Sequence, residues 1–130
     1  MMSKDQPGGE TLTTFALPNE FDAAGFSHAL EDQDVAAQLA YYSDCAEVSV
    51  VTRTNRGSQR KTLHGRCEVA TWLTELSCSY PTISTVTLGH QGADMLLIAE
   101  CRRPDEELNV YAATAGVEGG LIFRQFVIIL

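Results

Sequence analysis

Positive charge is scarce in this chain. Nine Lys and Arg stand against seventeen Asp and Glu, a formal net charge of −8. A nucleic-acid binder presents a basic face to phosphates, and anionic membranes attract basic segments, so neither partner is expected. Cysteine is sparse and scattered: Cys45, Cys67, Cys78 and Cys101 form no CxxC and no paired spacing. Neither a metal site nor a bound cofactor is expected from that pattern. The chain also lacks a GxGxxG, a phosphate loop and a nucleophile–base–orienter triad. No run approaches the ~20 apolar residues of a membrane span. The opening MMSKDQPGGETLTT has no apolar stretch of the signal-peptide kind. A cytoplasmic protein with reduced, inert thiols is the expectation.

What is present is an ordinary globular composition, 45% hydrophobic and 20% charged over 130 residues. That length suits one domain. Residues 1–14, rich in Gly, Pro, Ser, Thr and charge, read as a flexible lead-in, and 15–130 as the domain. Four of the nine cations (Arg53, Arg56, Arg60 and Lys61) fall close together; they read as a solvated hairpin tip rather than a phosphate site.

Periodicity supplies the elements. Pro18-Asn19-Glu20 opens a first helix carrying Phe21, Phe26, Ala29 and Leu30. Asp34 is a natural N-cap for a second helix, with Val35, Leu39 and Tyr42 on one stripe and Ser43-Asp44-Cys45 as its stop. From Val48 the β-branched residues Val50, Val51, Thr52 and Thr54 predict a strand. Asn55-Arg56-Gly57-Ser58 turns it back toward His64. Gly65 ends the return strand, and Val69, Trp72, Leu73 and Leu76 follow at helical spacing. Strands are then expected over Ile83–His90, Met95–Arg102, Leu108–Ala115 and Leu121–Leu130. Short polar turns separate them, at Gln91-Gly92, Pro104–Glu107 and Gly116–Gly120. The order is ααββαββββ, an α+β fold whose last four strands form an antiparallel meander.

Three stretches carry a resemblance to a known family: Asp34-Val35-Ala36 into Leu39–Ala46, Leu63-His64-Gly65-Arg66 into Val69 with Trp72-Leu73, and the ending Gly120-Leu121-Ile122-Phe123-Arg124. In this order and spacing, over about residues 18–130, they resemble the nuclear transport factor 2-like superfamily and within it the small SnoaL-like proteins. The resemblance implies a cystatin-like cone, a strongly curved, antiparallel-rich sheet wrapped around helices, with a pocket and commonly a homodimer. That superfamily holds isomerases, cyclases, dehydratases, hydrolases and non-enzymatic binding modules, so function rests on the pocket residues.

Aligned on Asp44-Cys45-Ala46, the resemblance puts Val50 where ketosteroid isomerases carry their catalytic base and Phe26 where they carry an oxyanion-binding tyrosine. Neither side chain transfers a proton or donates a hydrogen bond, so that activity is not expected. Asp44, His64 and Arg124 remain as weak catalytic candidates. Asp44 reads first as a turn residue, and Arg124 first as a structural ion pair with Glu100 or Glu118 or as an interface contact. His28 and His90 read as surface residues. Phe26, Tyr42, Val50, Trp72, Met95 and Tyr111 are the expected pocket lining, apolar as small-molecule pockets are. The functional expectation is a protein that binds a small apolar or carbonyl-bearing molecule, as an enzyme or as a carrier. Its alternative is a non-catalytic homodimerising module with a filled cavity. Two apolar faces on the last strand suggest the homodimer.

Overall fold

The computed structural model describes residues 21–91, 94–105 and 107–130. The expected lead-in over 1–14, the helix opening at Pro18-Asn19-Glu20 and Gly92 lie outside them. The elements are α1 (Ala23–Asp32), α2 (Val35–Leu39), β1 (Tyr42–Thr54), β2 (Gly57–His64), α3 (Gly65–Ser79), β3 (Thr82–Gln91), β4 (Asp94–Arg102), β5 (Leu108–Glu118) and β6 (Leu121–Ile129). The order agrees with the sequence reading, and the fold is α+β. The six strands make one mixed sheet in the order β2-β1-β6-β5-β4-β3. β1 and β6 are parallel, and every other pairing is antiparallel.

Local chemistry sets the helix boundaries. The Asp22 carboxylate accepts the Gly25 N–H at 2.9 Å and caps α1. Gln33 closes it in the left-handed region, at φ 57°. Asp34 caps α2 by accepting the Ala37 N–H at 3.0 Å. At the start of α3, Glu68 reaches back to accept the His64 N–H at 2.7 Å. Val69, Trp72, Leu73 and Leu76 are the buried stripe of α3, as their spacing requires.

Three features differ from the sequence reading. Helix α2 is one short turn, and Tyr42–Cys45 belong to β1 rather than to a helix and its stop. The Ile122 N–H donates to the Tyr41 carbonyl at 2.7 Å, drawing the chain into parallel pairing with β6. Ser43 and Asp44 then occupy a register shift between Tyr42 and Glu47, where the Ser43 hydroxyl accepts the Cys45 N–H. Strand β5 runs on to Glu118, so the turn is only Gly119-Gly120, with φ of 63° and 78°.

The third difference is on β6. Strict alternation would put Ile122, Arg124, Phe126 and Ile128 on one face. A register shift beside Gly116 and Val117 breaks that alternation. Ile122, Gln125, Val127 and Ile129 are buried, whereas Phe123, Arg124 and Phe126 are exposed.

One sheet face and the helices enclose the core. Helix α3 lies over β1 and β2, α1 lies over β3, and α2 joins α1 to α3. Glu31 on α1 accepts the Thr85 N–H at 2.7 Å, beside the irregularity in β3. The sheet's other face carries exposed Leu96, Phe123, Phe126 and Leu130. No helix among the described residues is long and apolar enough to cross a membrane.

Candidate functional site

A groove of about 590 Å³ lies between α3 and the β1–β2 hairpin. Its position follows from two periodicities. Along β1, Val50 and Thr52 share one face, and their cross-strand partners Lys61 and Gln59 extend that face onto β2. Along α3, Trp72, Leu76 and Ser79 line one side, with Glu75 beside them. Ile129 of β6 and Tyr80 complete the lining. The floor (Val50, Trp72, Leu76, Tyr80 and Ile129) is therefore apolar or aromatic. Thr52, Gln59, Lys61, Glu75 and Ser79 supply polar groups.

Lys61 and Glu75 reach toward each other from the hairpin and α3, 3.5 Å apart and each more than half exposed. A pair this open contributes little to stability. Both residues, with Trp72, also line an adjoining hollow of about 380 Å³ that continues past Leu63, Cys67 and Thr71. The Tyr80 phenol is held above its ordinary pKa, chiefly by burial.

Deeper in the core lies a polar pair. The Tyr42 hydroxyl donates to Gln125 Oε1 at 2.6 Å, with both residues buried. Burial raises the Tyr42 pKa and keeps the phenol neutral. Burial likewise raises that of Tyr111. Gln125 Nε2 and Gln38 Oε1 are buried with no hydrogen-bond partner among the described residues.

Of the expected lining residues, Val50 and Trp72 lie in the groove. Phe26, Tyr42, Met95 and Tyr111 are packed in the core, each no more than 1% exposed. The catalytic candidates are not brought together at the groove. Asp44, its side chain 87% exposed, pairs with Arg66 at 3.2 Å. Arg66 also donates to the Leu39 carbonyl at 3.0 Å, tying α2 and β1 to the start of α3. His64 is exposed at the N-cap of α3. It shares a cross-strand row with Glu47 and Arg124. The Arg124 guanidinium lies over the Phe123 ring, 5.1 Å from its centre, and among the described residues makes no ion pair with Glu100 or Glu118. His28 and His90 are exposed.

Sequence reasoning did not single out Thr52, Gln59, Glu75, Leu76, Ser79 or Ile129 as lining. The signal was present in the alternation of β1 and in the helical spacing from Trp72, but pairing those faces needs the tertiary fold. The cysteine expectation changes as well: all four are free, but only Cys101 is buried, and Cys45, Cys67 and Cys78 are exposed. No group of three or more His, Cys, Asp or Glu that could hold a metal occurs among the described residues.

The architecture matches solved structures of the nuclear transport factor 2-like fold. One, a bacterial protein with a cystatin-like fold from Silicibacter pomeroyi, superposes with a TM-score of 0.69 at 20% identity, over 87% of this chain and 77% of that one. An NTF-2-like protein of unknown function from Burkholderia xenovorans gives 0.67 at 10% identity, over 82% and 77%. A protein with a ketosteroid isomerase-like fold from Catenulispora acidiphila, solved with trimethylamine, gives 0.60 at 13% identity, over 80% and 81%. The chain therefore has the nuclear transport factor 2-like fold, shared with ketosteroid isomerase-like and cystatin-like proteins. No protein-family model matches the sequence, and no curated protein matches it.

Proposed function

We propose that the protein binds a small apolar or carbonyl-bearing molecule in the groove between α3 and the β1–β2 hairpin, with the sheet curling around α3 as one side of a cone. The observation that carries this reading is the groove's construction: an apolar floor of Val50, Trp72, Leu76 and Ile129, edged by hydrogen-bonding side chains. Small-molecule sites are built in this way. The trimethylamine bound by the Catenulispora protein is a small-molecule precedent within the same fold. Val50 offers no proton acceptor, so binding fits the site better than proton transfer. Three exposed free thiols suit the reducing interior of a cell.

Trp72 is the chain's only tryptophan, so intrinsic fluorescence reports directly on the groove. Steroids, polyketide mimics and fatty acids are titrated while emission and melting temperature are followed. Saturable quenching with a raised melting temperature for one class supports the reading. Flat emission and an unmoved melting temperature across all three would sink it.

A second reading rests on a different surface. Leu96, Phe123, Phe126 and Leu130 are exposed on the sheet face that none of the described helices covers, and soluble monomers rarely expose large contiguous apolar patches. A two-fold homodimer, sheet to sheet, would bury that patch. Light scattering at micromolar concentration should then return about twice the 14.2 kDa chain mass.

A further inference from the structure

The β1–β2 hairpin that walls the groove is basic. Arg53, Arg56, Arg60 and Lys61 are all exposed in a protein of net charge −8. The hairpin they occupy forms one wall of the groove, and Thr52, Gln59, Arg60 and Lys61 all line it. Elsewhere an acidic surface repels anions. Here clustered cations create a local field that attracts them.

The cations divide by direction. Arg60 places its guanidinium over the Phe126 ring, 5.9 Å from the ring centre, on the sheet's other face. Lys61 lies opposite Val50 in the β1–β2 register, and Val50 faces the core. Its ammonium therefore stands over the groove floor, paired there with Glu75 at 3.5 Å. That pair is open to solvent and exchanges at little cost. An anionic group entering beside Trp72 can take the ammonium from Glu75 while its apolar body covers Trp72, Val50 and Ile129.

We infer that the groove selects amphipathic anions, molecules with an apolar body and a carboxylate or phosphate end group, with Lys61 as the anchoring cation and Arg53, Arg56 and Arg60 as steering charges. This inference rests on the groove-binding reading above and names its ligand class. One ammonium with no fixed fork of donors accepts either anion, so the two head groups are separate arms of the test.

Octanoate, octyl phosphate and octanol share one apolar body and differ at the head. Each is titrated below its aggregation limit against the full chain, with Trp72 emission as the readout. At least one anion should bind about tenfold more tightly than octanol, the effect of one favourable ion pair. Salt should erode that advantage. Lys61→Gln should bring the anion-to-octanol affinity ratio close to one, and Glu75→Gln should raise it. Arg124→Gln makes the same charge change on the far face and should preserve it. Lys61 is more than half exposed, and an unchanged melting temperature confirms that its variant folds. If octanol binds as tightly as both anions, or if Lys61→Gln keeps the preference, the anion inference falls and the groove reading stands. If none of the three binds, both fall.

Discussion

Tyr42 on β1 donates a 2.6 Å hydrogen bond to Oε1 of Gln125 on β6, inside the core. The bond joins the two parallel strands inside the sheet and fixes the orientation of a buried amide. Removing one partner leaves the other desolvated and unpaired. Tyr42→Phe and Gln125→Leu should each cost about 1–3 kcal/mol, and the double variant less than the sum of the two. Urea denaturation of the four proteins measures this cycle. Additive losses would mean that the pair contributes nothing as a pair.

Trp72 connects the groove to stability. It is 5% exposed and packs within the main core cluster, which includes Val48 and Val50. Trp72→Ala should cost about 3–5 kcal/mol, a large share of a small domain's stability. A melting temperature equal to that of the parent protein would contradict the packing described for α3.

Alkaline pH should weaken the fold. Burial pushes the Cys101 thiol up to about 11 from an ordinary 9.0, and it also raises Tyr42, Tyr80 and Tyr111. Each raised group favours the protonated folded state. Its contribution is complete below the unfolded pKa and is lost as pH climbs through the folded one. For Cys101 that window is pH 9 to about 11. Urea midpoints should hold up to pH 8.5 and decline above 9, less steeply in Cys101→Val. A thiol reagent at pH 8 should modify Cys45, Cys67 and Cys78 quickly and Cys101 only on unfolding. Rapid modification of all four would place Cys101 at the surface.

The sheet face opposite the helices gives a further test. Phe126→Lys puts a charge into the exposed patch without touching the core. The expected result is a shift in light scattering from about two chains to one, with little change in thermal stability. A parent protein that is already monomeric would remove the dimer reading.

The parts of the fold that local chemistry decides were legible in the sequence. Asp34 caps α2, Val69, Trp72, Leu73 and Leu76 form the buried stripe of α3, and Gly119-Gly120, the end of the expected Gly116–Gly120 turn, closes the last hairpin, all within a few residues of their cause. The failures are non-local. Tyr42 continues the helical period of Val35 and Leu39, yet the Ile122 N–H on the Tyr41 carbonyl commits it to a strand. Alternation on β6 fails at Phe123-Arg124 because Phe123 is an extra residue opposite the Gly116-Val117 step of β5. The parallel β1–β6 pairing has no local signal at all. The site was half visible for the same reason. Trp72 and Val50 stand out by type and spacing, whereas Lys61 belongs by sequence to a solvated tip, and only the packing of α3 sets Glu75 beside it.

The most direct measurement is a backbone and indole amide NMR titration with octanoate. Saturable shifts should concentrate at Val50, Thr52, Lys61, Ile129 and the Trp72 indole, and spare the Phe123–Phe126 face. Shifts confined to that outer face, or no saturable shifts at all, would contradict a ligand-binding groove between α3 and the β1–β2 hairpin.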